Sequence, residues 1–557
     1  MDVATSTTNE PGRPFLWRTP LLWVLLPLLA GYIAGEQWPS LPMWVPLVFA
    51  IALLGPLAVL TWRDRLSTRA FAGLCLTAIA CLSLTYYLDR RAPTLPEGWE
   101  GLPPREIVAT VQIERLFNHY RPDQPQRGLA RLVQTSGVET PLQGYRIVFE
   151  WPRGREVELG ARYAITGVLA ARDAEGGFGR YLERQGVPLA LDRLRHVEKA
   201  APPSWFAQAQ GAAHDRLRRA LMPQGFADTP ARRMLAAMLL GETELLPPQE
   251  RLNFIASGTL HYFAISGLHV AAVAATLDLL LRVLRLRTGT RTITALLLLA
   301  LYIWATGLAA SAVRAGLMIG FWSLATLTRR QAASLPALVG SAVLVLLWDP
   351  RQLWTPGFQL SYLVAAGIIL YGVPLARWGQ ERWLLFPWLP RQDWKWHHHW
   401  RQNIVRGLWS ALSISLAATL ASWPLSLLYF EVSSPGAWLL NVVLAPLASL
   451  AVAAGVLVVL LGLAGAAPLA HFFAHAAWLL LDAMNRTIAL FVSWPLSTER
   501  RSWYFDLAGW VCMAGSVGLF FFLIVRKKHV TPPGRIAWFF PVIWSLACIV
   551  CLSYRPG

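Results

Sequence analysis

Residues 436–462 read GAWLLNVVLAPLASLAVAAGVLVVLLG, a stretch without a single charged side chain. It is long enough to cross the hydrocarbon core of a bilayer, which takes about 20 mostly apolar residues in a helix. The whole chain shares this character, since 55% of its 557 residues are hydrophobic and only 15% are charged. Such a composition excludes an ordinary soluble protein of this length and predicts a protein of the membrane.

Further apolar stretches recur at both ends of the chain and predict about a dozen membrane spans. We place the spans at 20–36, 41–62, 68–88, 262–284, 292–308, 310–328, 333–348, 357–375, 405–430, 436–462, 469–494, 505–525 and 535–553. The first stretch has no small-residue cleavage site and is soon followed by a second. We therefore interpret it as an anchor rather than a cleaved signal peptide.

A soluble segment separates the third span from the fourth, and its pattern is that of strands. Alternation of apolar and polar residues at 107–113, 144–149 and 157–165 predicts short, half-buried strands. About a hundred residues of this kind suit a small OB-type barrel, a fold that commonly receives oligonucleotides. Its aromatic residues serve either as base-stacking surfaces or as barrel core; they are Phe117, Tyr120, Tyr145, Phe149 and Trp151.

The predicted fold is a polytopic α-helical membrane protein with a small all-β, OB-like periplasmic domain inserted after the third helix. The expected divisions are a three-helix anchor (1–88), the OB-like domain (89–204), amphipathic and re-entrant helices (205–257), a channel domain (258–530) and a last transmembrane helix (531–557).

We attribute the net charge of +18 to membrane topology rather than to nucleic-acid binding. Residues 89–228 hold 20 Lys and Arg against 17 Asp and Glu, so most of the excess lies in the membrane part. There the basic clusters fall on every second connection, and short basic loops stay in the cytoplasm. This alternation predicts a cytoplasmic N-terminus and places residues 89–230 on the outer side.

The second membrane block carries the most distinctive motifs of the chain. LGE at 240–242 and FIASGTLHYFAISGLHV at 254–270 resemble the signature of the ComEC competence proteins. Further marks of that family follow in order: SAVRA at 311–315, DP at 349–350, GFQLS at 357–361, and Asn441 with Pro446. The resemblance implies a bacterial inner-membrane channel that passes single-stranded DNA into the cytoplasm during natural transformation.

The chain also departs from the family pattern. The family often has Pro where this chain has Ala310, and Asp-Tyr where it has Gly179-Arg180. Many members carry a metallo-β-lactamase-like domain after the last span, but this sequence contains no His-x-His-x-Asp-His cluster. Either the chain is a short member of the family, or a separately encoded nuclease supplies that domain.

Polar residues inside the apolar stretches are the candidates for the substrate path. An ionisable side chain within a span is costly and usually faces a bundle interior or a wet path. Eight residues separate His261 from His269, which we expect on one broad face of one helix. The alternative is interhelical hydrogen bonding that fixes the packing. The candidates are His261, Ser266, His269, Arg314, Gln359 and Asn441.

The connection at 376–404 alternates tryptophans with cations and includes the run His397-His398-His399. It is either a cytoplasmic exit that stacks bases and holds phosphates, or an interfacial belt at the lipid headgroups. The candidate DNA contacts are Arg391, Trp394, Lys395 and Trp396.

No metal or cofactor is expected, since His471 and His475 lack a recognised ligand pattern and no Gly-x-x-x-x-Gly-Lys-Ser/Thr loop is present. The resemblance implies single-stranded DNA and a periplasmic DNA receptor as partners. Because the chain lacks an ATP-binding loop of this kind, we also expect a cytoplasmic motor or single-strand-binding protein that pulls the strand. Two other functions stay open at this point. They are a nuclease-coupled enzyme and a transporter of another anionic or lipid substrate.

The predicted orientation can be tested with topology reporters. A reporter active only in the periplasm should be active when inserted near Asp123 and silent near Gln392, because the basic connections fix the cytoplasmic side. The reverse pattern of activities would contradict the orientation.

Overall fold

The computed structural model describes residues 19–500, apart from gaps at 63–66, 92–102, 118–124, 136–141, 153–156, 173–178, 180–181, 183–184, 223–228, 331, 431, 434–435 and 494–498. The predicted spans at 505–525 and 535–553 lie outside the described residues.

Three helices open the described chain: α1 (Leu22–Gln37), α2 (Trp44–Trp62) and α3 (Thr68–Arg90). A Cβ atom at Gly31 of α1 would lie 2.4 Å from the Ala80 carbonyl oxygen, so glycine permits the close approach of α1 and α3. The Tyr32 hydroxyl donates a hydrogen bond to the Leu346 carbonyl at 2.9 Å. This contact joins the anchor to the second membrane block.

The soluble segment folds into a closed five-stranded barrel. Its strands are β1 (Arg105–Leu116), β2 (Gln126–Thr135), β3 (Arg146–Trp151), β4 (Arg162–Ala171) and β5 (Leu189–Ala201). They are hydrogen-bonded in the order β1-β2-β3-β5-β4, and β4 pairs with β1 to close the ring. All pairs are antiparallel except β3 with β5.

The first strand prediction lies within β1, the second overlaps β3 from Arg146 to Phe149, and the third is wrong in its first half. The stretch predicted at 157–165 enters a turn at Gly160, whose φ of +79° is the left-handed conformation that favours glycine, and β4 begins only at Arg162. The Trp151 ring is 1% exposed and makes edge contacts with Phe149 and Tyr163. These rings are barrel core and are not free to stack on bases.

Helices follow the barrel through the rest of the described chain. They are α4 (Trp205–Leu221), α5 (Pro230–Leu240), α6 (Pro248–Ala256), α7 (Gly267–Val283), α8 (Thr288–Ala305), α9 (Ala310–Leu327), α10 (Ser334–Trp348), α11 (Pro356–Gly367), α12 (Val373–Arg382), α13 (Trp396–Phe430), α14 (Ala437–Leu463) and α15 (Ala467–Val492). A π-helical turn, Ile368–Gly372, joins α11 to α12 without a break. Two short strands, Val432–Ser433 and Glu499–Arg500, pair with each other.

Within the described residues, seven helices are long and apolar enough to cross a membrane, and three shorter helices are also apolar. Helix α13 begins at Trp396, nine residues before the predicted start at 405, so part of the predicted loop at 376–404 is helical. Helix α7 begins at Gly267 rather than at 262, because Ser266 caps its first turn.

The core of the bundle surrounds α5. Every residue from Met234 to Leu240 is buried, and the helix packs against α14 and α15. At Gly455 of α14, a Cβ atom would lie 2.3 Å from the side chain of Leu239. The absence of that atom allows α14 to approach α5 closely, so this short helix forms the centre of the packing.

Truncation of Trp151 tests the core assignment within the barrel. Trp151→Ala removes a fully buried ring and should lower the free energy of unfolding by about 3–5 kcal/mol. Val108→Ala, on the exposed side of β1, should change it by less than about 0.5 kcal/mol. Pulse proteolysis of the whole protein in detergent, scored at cleavage sites in the barrel, measures both. Equal effects of the two substitutions would contradict the assignment.

Candidate functional site

The segment before α7 separates the two predicted histidines. His261 lies on a 3-10 turn, Leu260–Tyr262, whereas His269 lies in the first turn of α7. The prediction that both lie on one helix is therefore wrong, because Gly258 takes a φ of +71° and Ser266 starts a new helix.

Ser266 and His269 together form the N-terminal cap of α7. The Ser266 hydroxyl accepts a hydrogen bond from the His269 backbone N–H, and His269 Nδ1 accepts one from the Ser266 backbone N–H, both at 3.4 Å. This reciprocal pair satisfies two backbone donors that a helix start leaves open. The His269 ring is fully buried. Both residues thus set the position at which α7 starts.

Helix α9 lies beside this cap and carries Arg314. The Ser311 hydroxyl donates a hydrogen bond to the Ile265 carbonyl, immediately before the cap. One turn further, Arg314 is only 3% exposed, and its Nη2 donates to the Gly357 carbonyl of α11 at 2.8 Å. Its Nε and Nη1 have no hydrogen-bond partner within the described part of the chain, and no carboxylate there forms an ion pair with it.

These contacts bring the starts of three helices together. The Ser311 bond holds the first turn of α9 against Ile265, just before the start of α7, and Gly357 lies in the first turn of α11. Each helix start carries roughly half a positive charge from the helix dipole. The region around Arg314 is therefore positive and short of negative partners, which suits an anion.

The remaining candidates border the same region through hydrogen bonds between elements. Gln359 Nε2 donates to the Leu353 carbonyl at 3.0 Å, and its Oε1 accepts from the Tyr429 hydroxyl at 2.8 Å. Asn441 Oδ1 accepts from the Tyr262 hydroxyl at 3.2 Å. Both amides thus serve as packing partners, and their place on a substrate path stays a prediction.

The four candidate DNA contacts differ in exposure. Trp394 is half-buried against Phe386 and His399, and its indole N–H donates to the Leu389 carbonyl at 3.0 Å. It is part of the fold of its own loop. Arg391, Lys395 and Trp396 are exposed.

An ionic junction on α4 was not predicted from the sequence. His214 Nε2 lies 3.0 Å from Glu242 Oε1, and Arg218 Nε lies 3.4 Å from the same oxygen. His214 Nδ1 lies 3.2 Å from the Ala305 carbonyl, and Gln210 donates to the Trp304 carbonyl at 2.7 Å. Both carbonyls belong to the last turn of α8, where helices leave acceptors open.

The geometry of this junction favours a charged imidazole. Both ring nitrogens of His214 face acceptors, so only the protonated ring donates to Glu242 and Ala305 at once. The hydrogen bond with Glu242 accordingly raises the pKa of His214. A sequence signal was present, since Gln210, His214 and Arg218 recur every four residues and form one polar edge of α4.

A bundle of apolar helices joined to a small β-barrel defines a multi-pass membrane protein. A family model for the competence proteins matches residues 238–529, more than half of the chain. The chain belongs to this competence protein family, the ComEC family, and the resemblance of its motifs is thereby confirmed.

Two curated relatives each match part of the chain. ComE operon protein 3 of Bacillus subtilis (strain 168) is 29% identical over 247 residues, which are 44% of this chain and 28% of that protein. Uncharacterized protein YcaI of Escherichia coli (strain K12) is 24% identical over 282 residues, 49% of this chain and 34% of that protein. The chain thus spans about a third of the length of these relatives. No solved structure matches it.

The ionic junction predicts a pH-dependent contribution to stability. Because the pKa of His214 is raised on folding, its contribution is complete below about pH 6.5, the ordinary value, and is lost as the pH rises through the folded value. At low pH, His214→Leu should therefore lower the free energy of unfolding by about 1–2 kcal/mol, and at pH 9 by much less. Thermal unfolding of wild type and variant at both pH values measures this; a difference that grows with pH would contradict it.

Proposed function

We propose that this chain is a channel of the bacterial inner membrane that passes single-stranded DNA into the cytoplasm during natural transformation. Membership of the competence protein family supports a role in DNA uptake. The main support for a channel is the burial of Arg314, a cation whose neighbours pair with only part of its guanidinium group.

A buried guanidinium without a carboxylate is costly, and packing alone does not explain it. Burying an unpaired charge costs several kcal/mol even after the surroundings relax. Gly357 offers Arg314 one carbonyl, and carbonyl dipoles do not neutralise a full charge. An anion bound at the site would neutralise that charge. A DNA strand brings one phosphate per nucleotide, so each phosphate in turn meets Arg314 and the helix starts beside it.

The predicted orientation puts this positive region near the outer mouth of the bundle. Helices α7, α9 and α11 start on the same side, because one helix returns between each pair. With the basic connections in the cytoplasm, that side is the outer one. Arg314 lies five residues into α9, about 6 Å below its start. A polyanion that arrives from outside is therefore attracted at the mouth and not repelled.

The barrel completes the proposed uptake path. Its strand order, with β3 and β5 parallel and β1 paired with β4, supports an OB-type barrel, a fold that receives oligonucleotides on the face of strands 2 and 3. The exposed side of these strands carries Arg127 and Arg131, which form ion pairs with Glu150 and Glu114. Since the core rings are occupied, we propose that the barrel contacts the strand through polar groups and phosphates.

In this proposal the chain is a transport protein and not an enzyme. Energy comes from a cytoplasmic motor or from single-strand-binding proteins that pull the emerging strand. A periplasmic receptor delivers the DNA.

Substitution of Arg314 tests the proposed channel. Arg314→Ala should reduce transformation by at least about 100-fold, because removing a cation from a wet path raises the barrier for a polyanion. Arg314→Lys should retain part of the activity if charge alone matters, and none if the guanidinium geometry matters. Capture of DNA outside the membrane should continue in both variants.

The matched control is Arg330→Ala, which removes an exposed cation just beyond the other end of α9. This variant should transform normally at equal abundance in the membrane. Normal transformation by Arg314→Ala would remove Arg314 from the path, and an equal defect in the control would show that the loss is general.

A further inference from the structure

The first turns of α13 present an exposed aromatic surface at the end of a membrane helix. Trp396 is 78% exposed and Trp400 is 59% exposed. Ile404 and Leu408 follow at the same four-residue spacing, and both are also exposed. Residues four apart lie on one face of a helix. The two rings therefore form the first part of a continuous apolar stripe, which Ile404 and Leu408 extend into the membrane span.

The length of α13 places these rings beyond the hydrocarbon core. The helix has 35 residues and is about 52 Å long, whereas the core of a bilayer is about 30 Å thick. Several turns of α13 therefore project out of the core. With Ile404 and Leu408 facing the lipid chains, Trp400 and Trp396 come to lie at the depth of the headgroups, where tryptophan is enriched.

Exposed cations accompany the rings on the same segment. Arg391 and Lys395 precede Trp396, and Arg401 follows Trp400; all three side chains are exposed. The only exposed acid among residues 383–401 is Asp393. The surface is thus both aromatic and positive, which matches the composition of a membrane face rich in anionic lipid.

Specific contacts hold this segment in shape. The Gln402 side chain is fully buried; its Oε1 accepts from the Leu385 N–H and its Nε2 donates to the Trp383 carbonyl, both at 2.9 Å. Phe386 packs edge-on against His398 of α13. The connection is therefore folded back on the start of α13, and the exposed rings and cations are presented on a fixed base.

We propose that Arg391, Lys395, Trp396 and Trp400 form a docking surface for anionic phospholipid headgroups. The cations bind lipid phosphates, and the two rings lie among the headgroups above the apolar stripe. Two observations favour lipid over a DNA strand: the rings continue into an exposed apolar stripe on a membrane helix, and Trp394, which lies between Arg391 and Lys395 in the sequence, is packed into the loop and hydrogen-bonded there. A strand needs open ring faces on which to stack.

Lipid titration of the whole protein in detergent tests this surface. Added phosphatidylglycerol should raise the thermal unfolding temperature of the wild type, since a ligand that binds the folded state stabilises it. Arg391→Gln together with Lys395→Gln should weaken phosphatidylglycerol binding by about 30-fold, the combined contribution of two cations near an anionic surface. The response to phosphatidylcholine should not change.

A matched pair of substitutions on the barrel serves as the control. Arg162→Gln with Arg193→Gln removes two exposed cations far from α13 in sequence and should leave the lipid response intact. Trp396→Ala with Trp400→Ala should weaken binding of both phosphatidylglycerol and phosphatidylcholine, because the contact of the rings with the headgroups does not depend on headgroup charge.

The competing partner is measured on the same variants with a labelled single-stranded oligonucleotide. Unchanged oligonucleotide affinity in the Arg391 and Lys395 variant, together with weakened phosphatidylglycerol binding, supports the proposal. An unchanged phosphatidylglycerol response would overturn it. Weakened oligonucleotide binding with an intact lipid response would show instead that the surface binds nucleic acid.

Discussion

The hydrogen bond from Arg314 to the Gly357 carbonyl is the contact that joins the helices of the proposed anion site. It joins α9 to the start of α11, while Ser311, one turn earlier, joins α9 to the start of α7. Three positive helix ends and a guanidinium thus meet in one buried place. Folding does not neutralise this charge within the described residues, which is the basis of the proposal that a negative group binds there.

The junction around His214 lies next to this region and connects it to the barrel. Helix α4 follows β5 after three residues, and a Cβ atom at Gly160 of the barrel would lie 3.3 Å from Ala207 of α4. The same helix caps the last carbonyls of α8, four residues before α9 begins. Contacts thus run from the barrel through α4 to the end of α8, the segment that leads to Ser311 and Arg314. Glu242, which belongs to the motif after α5, holds the contact in place.

Much of this arrangement could be predicted from local sequence, and the exceptions have identifiable causes. Apolar stretches located the helices because a span must satisfy its own backbone, and the motifs identified the family. The start of α7 was missed because Ser266 reads as one more small residue in an apolar run, although its side chain ends one segment and caps the next. For Phe149 and Trp151 the sequence could not decide between stacking on bases and packing in the core. Alternation of apolar and polar residues does not show which face of a strand points into the barrel. The partners of Arg314 and His214 are 43 and 28 residues away, beyond any periodic signal.

The most direct measurement of an anion path through the bundle is transport into vesicles that contain only this protein, with a single-strand-binding protein enclosed to pull the strand. A labelled single strand should enter, entry should be slowed by high salt, which screens the positive mouth, and a duplex of the same length should stay outside. Passage of small anions with exclusion of the single strand would contradict a DNA channel and would assign the buried cation to a different substrate.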